Sequence, residues 1–167
     1  MTEADILNAK ILIIDDAEAN LKLLEDLLAR EGFHQIISTA DSTRALDLFK
    51  AFEPDLVLLD LMMPELDGYA VLEMLSRHIP SDSYLPVLVV TADATIGAKR
   101  KALALGAKDF LTKPFDTIEA MLRVWNLLET RLLYRHLKSL NPAIKPAIHP
   151  SPIQAPNQAP NKAKPGE

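Results

Sequence analysis

Five residues of this chain have the types and spacing to handle a phosphoryl group: Asp15, Asp16, Asp60, Thr91 and Lys113. Each closes or follows a run of apolar residues. Lys10–Asp16 reads KILIIDD, Asp55–Asp60 reads DLVLLD, Pro86–Thr91 reads PVLVVT, and Lys113-Pro114 follows the short run Lys108–Thr112. Three carboxylates held close together cannot all stay ionised unless a cation neutralises them or some take up protons. Oxygen donors in a compact site suit Mg2+, which keeps part of its water shell and often shares the rest with a phosphate. A lysine ammonium adds a second positive centre, so the set suits a dianionic guest. A carboxylate can attack phosphorus and form an acyl phosphate. Such a transfer needs in-line positioning and neutralised equatorial oxygens, which metal, lysine and hydroxyl supply without a separate general base. Taken singly, the signals are weak. An Asp-Asp pair is commonly solvated or caps a helix, and Asp at the end of a strand is frequent because Asp favours turns. Their joint occurrence, in order and at the ends of different apolar runs, carries the case.

For these residues to meet, the runs must be strands of one sheet whose carboxyl ends open on a shared crevice, where open α/β sheets bind ligands. The intervening segments allow this. From Glu18 to Arg30, leucines at 21, 24, 27 and 28 recur at helical spacing, and Gly32 fits the stop. Gln35–Thr39 reads as a short β-branched strand, and Asp41 or Ser42 can cap a helix running through Phe49 and Ala51. After Asp60, Met63-Pro64 breaks the pattern, Gly68 permits a turn, and Tyr69–His78 is helical again. Thr95–Leu105 predicts a helix stopped by Gly106, and a long helix runs from about Asp116 to Leu140. Five strands alternating with five helices predict an α/β fold with a mainly parallel sheet and right-handed crossovers.

Bulk properties narrow the classes. The chain has 167 residues, 49% of them hydrophobic and 25% charged, which suits one globular domain with a real core. No apolar run approaches the roughly 20 residues of a membrane span, and the opening MTEADILNAK lacks the basic and apolar regions of a signal peptide. The absence of cysteine excludes disulfides, thiolate metal sites and cysteine nucleophiles. A cytoplasmic protein is expected. A net charge of −5 argues against broad binding to nucleic-acid backbones, and no basic helix-turn-helix pattern follows the last helix. Residues 141–167 hold seven of the 12 prolines, no aromatic residue and the near-repeat QAPNQAPNKAKP, which predicts a disordered tail or linker.

The stretches ILIIDDAEAN, DLVLLDLMMPELDG, PVLVVTADA and GAKDFLTKPFD, in that order across about residues 9–130, resemble the receiver domains of bacterial two-component response regulators. The resemblance implies a flavodoxin-like (βα)5 doubly wound sheet with strand order 2-1-3-4-5. It also implies an aspartate that takes a phosphoryl group from the phosphohistidine of a histidine kinase or phosphotransfer protein, with Mg2+ as cofactor. Carried over residue by residue, Asp60 is the phospho-acceptor. Asp16 is a direct metal ligand, Asp15 a ligand acting mainly through water, and Met62 supplies a backbone carbonyl to the metal. Thr91 contacts the phosphoryl oxygens, Lys113 pairs with them, and Phe110 occupies the switch-aromatic position. Lys113-Pro114 resembles the family's cis peptide. In this scheme Thr91 moves toward the phosphoryl group, Phe110 turns inward, and the surface of the fourth helix, fifth strand and fifth helix changes shape. Read without the resemblance, Phe110 is a core or half-buried aromatic. Met62 and Asp93 flank the path of an attacking water, and methionine offers no amide to orient it, so slow self-dephosphorylation is expected. No enzymatic turnover beyond that self-catalysed chemistry is implied.

The domain organisation follows: a receiver over 1–130, a projecting helix end and coiled-coil stalk over 131–140, and the Pro-rich tail. The string FLTKPFDTIEAMLRVWNLLETRLLYRHL is similar to receivers that precede HD-type cyclic-dinucleotide phosphodiesterases. Leucines at 122, 127, 128, 132, 133, 137 and 140 exceed what covering a sheet requires, so the helix end is expected to serve a homodimer or a signalling contact. Two alternatives compete with a phosphorylation switch. A phosphorylation-independent interaction module of receiver fold would be expected to lose one of the five site residues, and all five are intact. A haloacid-dehalogenase-type phosphatase needs a second Asp two residues after the nucleophile, where this chain has Met62.

Overall fold

The computed structural model of the protein describes residues 1–147. Strands β1 (Lys10–Ile14), β2 (Gln35–Thr39), β3 (Leu56–Leu59), β4 (Val87–Thr91) and β5 (Asp109–Thr112) pair in parallel in the order β2-β1-β3-β4-β5. The expected flavodoxin-like order is therefore the observed one. Ile14 lies opposite Leu59, Leu59 opposite Val89, and Thr91 opposite Thr112, so the carboxyl ends of the strands emerge on one edge.

The apolar runs are continuous because the sheet is covered on both faces. Side chains alternate. Ile11, Ile13, Leu56, Leu58, Leu88, Val90 and Leu111 meet α1 (Glu3–Leu7), α2 (Glu18–Glu31) and α6 (Thr117–Leu140) on one side. Leu12, Ile14, Val57, Leu59, Val87, Val89 and Phe110 meet α3 (Ala45–Phe52), α4 (Gly68–His78) and α5 (Ile96–Ala104) on the other. Each fully buried Leu, Ile or Val contributes roughly 1.5–3 kcal/mol relative to exposure.

Two local features were not anticipated. The five-residue α1 is too short for periodicity to reveal it. A capping box forms it: the Asp5 carboxylate accepts from the Thr2 N–H at 2.6 Å, and the Asp5 N–H donates to the Thr2 hydroxyl. With α1 in front, the face expected from the fourth helix, fifth strand and fifth helix is α5, β5 and α6. The third helix also starts later than expected, because Asp41 caps a 3-10 turn at Ser42–Arg44 that precedes α3. Gly32 ends α2 in a left-handed conformation with φ of 107°, as its position suggested.

α6 buries Ala120, Met121, Val124, Leu127 and Leu128 against the sheet. Residues 131–140, expected to project, are tied back to the domain through Arg131, Arg135 and Lys138, while Leu133, Leu137 and Leu140 face solvent. Of the Pro-rich tail, residues 141–147 carry a turn in which the Ile144 N–H donates to the Asn141 carbonyl at 3.1 Å, and the rest lies outside the described residues.

Candidate functional site

The turn after each strand delivers its polar residue to the common edge. The Asp60 N–H donates to the Ile14 carbonyl at 2.9 Å, which seats Asp60 beside Asp15. The Lys113 N–H donates to the Thr91 carbonyl at 2.8 Å, which joins the ends of β4 and β5. As a result, carboxylate oxygens of Asp15, Asp16 and Asp60 lie within 4.8 Å of one another. Asp15 and Asp60 are buried and Asp16 is exposed. The Lys113 ammonium sits between the buried pair, 2.6 Å from Asp15 Oδ2 and 3.5 Å from Asp60 Oδ2. The other oxygens are held by backbone: Asp15 Oδ1 accepts from the Ala17 N–H at 3.0 Å, and Asp60 Oδ1 from the Met62 N–H at 3.1 Å. Lys113-Pro114 is cis.

The electrostatics explain what the cluster lacks. Three carboxylates and one ammonium leave two negative charges unbalanced. Burial pushes the Asp60 carboxyl above the ordinary carboxylate range, against the pull of the Met62 N–H and Lys113, and the neighbouring Asp15 charge pushes the same way. A divalent cation on hard oxygen donors would reverse that shift and neutralise the set. The donor chemistry therefore fits Mg2+, with Asp15, Asp16 and Asp60 as the side chains able to hold it. Met62, whose N–H holds Asp60, has its side chain exposed.

The remaining site residues are distributed around this centre. Thr91 is fully buried at the end of β4, and its hydroxyl accepts from the Asp93 N–H at 3.4 Å. Asp93 is turned away into a cap, accepting from the Thr95 N–H at 3.0 Å. Phe110 is 8% exposed and packs in the core on the α3–α5 side, with the Lys99 ammonium 5.6 Å from its ring centre. The side chain thus lies inward in this structure.

Sequence reading missed the reason for Gly68. It is not a turn residue with special φ. It opens α4 directly against the loop after β3, where an added Cβ would stand 2.2 Å from Leu61 Cα and 2.3 Å from the Asp60 carbonyl oxygen. Its N–H donates to the Leu61 carbonyl at 3.0 Å. Gly68 is thereby a positioning residue for Asp60, and a glycine eight residues after a strand-end aspartate was the available signal. Asn20, which reaches Asp15 Oδ1 at 3.5 Å, and Asp67, which caps α4 through the Ala70 N–H, were also missed.

Comparison with known proteins agrees with this geometry. Residues 11–124 match the family model described as the response regulator receiver domain. The chain is similar to the response regulator PleD of Caulobacter vibrioides, 37% identical over 133 residues, which cover 80% of this chain and 29% of that protein. It is similar to the alkaline phosphatase synthesis transcriptional regulatory protein PhoP of Bacillus subtilis, 38% identical over 73% of this chain and 49% of that protein. Among solved structures, the receiver domain of the Francisella response regulator 1452 superposes with a TM-score of 0.67 at 29% identity, over 74% of this chain and 98% of that one. The chain spans half or less of the length of these curated relatives. Among the described residues, no helix is long and apolar enough to cross a membrane.

Proposed function

The chain belongs to the response regulator receiver family, and on that premise we propose that it accepts a phosphoryl group on Asp60 and relays the event through the face of α5, β5 and α6. The donor is the phosphohistidine of a histidine kinase or phosphotransfer protein in the cytoplasm. An Asp60 carboxylate oxygen attacks phosphorus, the phosphorus–nitrogen bond breaks, and the imidazole leaves with its electron pair. Asp15, Asp16, Asp60 and the Met62 carbonyl would hold Mg2+, which would supply charge neutralisation. Lys113, freed from Asp15, pairs with one phosphoryl oxygen and the Thr91 hydroxyl donates to another. Thr91 and Lys113 thereby hold equatorial oxygens while Asp60 attacks in line, the main requirement of such a transfer. Later hydrolysis returns Asp60 and inorganic phosphate, slowly, because the Met62 side chain cannot orient the attacking water.

The observation that carries this reading is the meeting of three carboxylates within 4.8 Å of each other beside one lysine, with two negative charges left over.

The partner of the relayed signal is a second copy of the chain. Ile118, Leu122, Leu133, Leu137 and Leu140 are exposed along one face of α6, the face left after its first half covers the sheet. Residues 1–130 then act as the receiver and 131–140 extend the dimer contact.

Beryllofluoride with Mg2+, which mimics a bound phosphoryl group, tests the switch. Trp125 lies on α6, donates to Glu31 at 2.9 Å and tilts against Phe33 with ring centres 5.8 Å apart, so its fluorescence reports on that helix. A change in Trp125 emission and in oligomeric mass is expected for the wild type and neither for Asp60→Ala. The same response in both proteins, or none in the wild type, would overturn the proposal.

A further inference from the structure

The last turns of α6 have their polarity reversed. Helical spacing puts Ala120, Val124 and Leu127 on one face, and the same face continues through Arg131, Arg135 and Lys138. The side of the helix that faces the domain therefore changes from apolar to basic halfway along, with Arg131 largely covered and Arg135 and Lys138 reaching in from its rim. The opposite side carries Leu133, Leu137 and Leu140 in solvent. A surface helix ordinarily turns its leucines toward the core and its charges outward.

The cause lies at the amino edge of the sheet. Asp55, which precedes β3, is 5% exposed. Its Oδ2 accepts from the Lys10 N–H at 3.1 Å, and its Oδ1 accepts from Arg131 Nε at 3.3 Å and Arg135 Nη1 at 2.9 Å. Arg131 Nη1 also donates to the Ser83 hydroxyl at 3.2 Å and the Tyr84 carbonyl at 2.8 Å. Lys138 Nζ donates to the Asp82 carboxylate at 2.6 Å and carbonyl at 2.9 Å. Tyr134 stacks on Tyr84 with ring centres 6.1 Å apart. Every turn from 131 to 138 is thus held by Asp55 or by the loop before β4. Arg131 is 14% exposed, and burial lowers its pKa despite the Asp55 charge, which marks a guanidinium that depends on its partner.

We propose that Asp55, Asp82 and the Ser83–Tyr84 backbone form a clamp that draws the basic face of α6 inward and so fixes its leucine face outward for a second copy of this chain. The inference rests on the reading of α6 as the dimer element. Leu133, Leu137 and Leu140 follow the four-then-three spacing of a helix-pairing seam. The exposed Asn126 and Thr130 extend that spacing upstream without adding charge. The seam is short, so the dimer depends on the helix being held in one rotation before the copies meet.

Hydrogen exchange on the full chain separates the two ideas. In Asp55→Asn and in the double variant Arg135→Gln/Lys138→Gln, amides of residues 131–140 are expected to exchange at least tenfold faster, with β1 and β3 amides of the double variant unchanged. Should Asp55→Asn expose the whole sheet, the double variant, which alters partly exposed residues, decides alone. Sedimentation with beryllofluoride and Mg2+ should then find the double variant monomeric, and Leu133→Asp monomeric with normal exchange. Unchanged exchange in the double variant would overturn the clamp whatever the mass. Faster exchange with the dimer retained would overturn its role in fixing the seam. A wild type that stays monomeric while the variants exchange faster removes the dimer reading and leaves the clamp.

Discussion

The two ends of β3 carry aspartates that face opposite electrostatic situations. Asp55, at the start, is buried and accepts from two guanidinium groups and a backbone N–H. Asp60, at the finish, is buried beside two further carboxylates with one shared lysine. The first cluster is completed within the chain, and its members gain from staying together. The second is left short of positive charge, and its buried carboxylate is held above its ordinary pKa. The difference separates a structural cluster from one kept for a guest: the functional site is the one the fold leaves with excess negative charge, at a cost in stability met by packing elsewhere.

Substitutions at the two ends should therefore differ in kind and sign. The largest effect falls on chemistry: Asp60→Ala is expected to abolish label uptake from a small phosphodonor, and retained stoichiometric uptake would move the acceptor elsewhere. Gly68→Ala comes next, because its Cβ overlaps the Leu61 backbone. It should cost roughly 2–4 kcal/mol in denaturant unfolding and slow label uptake, and a change below about 0.5 kcal/mol would show that the loop yields freely. Asp55→Ala should cost about 3 kcal/mol, the scale of breaking a buried pair from one side. Asp60→Asn should do the reverse and stabilise the protein by about 1 kcal/mol at neutral pH. The sign follows from linkage: the folded-state pKa of Asp60 lies above its unfolded value, so ionised Asp60 costs stability at neutral pH, and the cost is relieved as pH falls through the raised pKa. Thermal unfolding from pH 7 downward should show the gain of Asp60→Asn shrinking, and added Mg2+ should stabilise wild type far more than this variant. A variant less stable than wild type at pH 7 would contradict the unbalanced-site account. The smallest effect belongs to Met62→Asn, which should shorten the phosphoryl lifetime roughly tenfold, about 1.4 kcal/mol in barrier. An unchanged decay rate would mean that water is oriented by other groups.

Much of the site was legible because its residues stand where apolar runs break. Asp15, Asp16, Thr91 and Lys113 each mark the end of a strand, and parallel order brings those ends together. Element order was legible for the same reason. The short α1 was not, since five residues give no period. Gly68 was noticed but misread, because the backbone it nearly touches is set by the packing of α4 on the β3 loop. The inward position of Phe110 also depends on neighbours: the core beyond its ring and Lys99 over it belong to other elements.

The segment DLVLLD shows where sequence stops and tertiary structure begins. Its letters alone determine a buried strand with a carboxylate at each end, since four apolar residues covered on both faces can hold no charge between them. They do not distinguish the two aspartates. Chain direction sends Asp60 to the edge where Asp15, Asp16 and Lys113 arrive, and sends Asp55 to the edge that α6 crosses with Arg131 and Arg135. Likewise, the leucine spacing of α6 determines an apolar stripe, whereas the direction of that stripe is decided by a carboxylate 76 positions from Arg131. Local patterns fix periodicity and burial, but the balance of a buried charge depends on partners that only the fold brings within hydrogen-bonding distance.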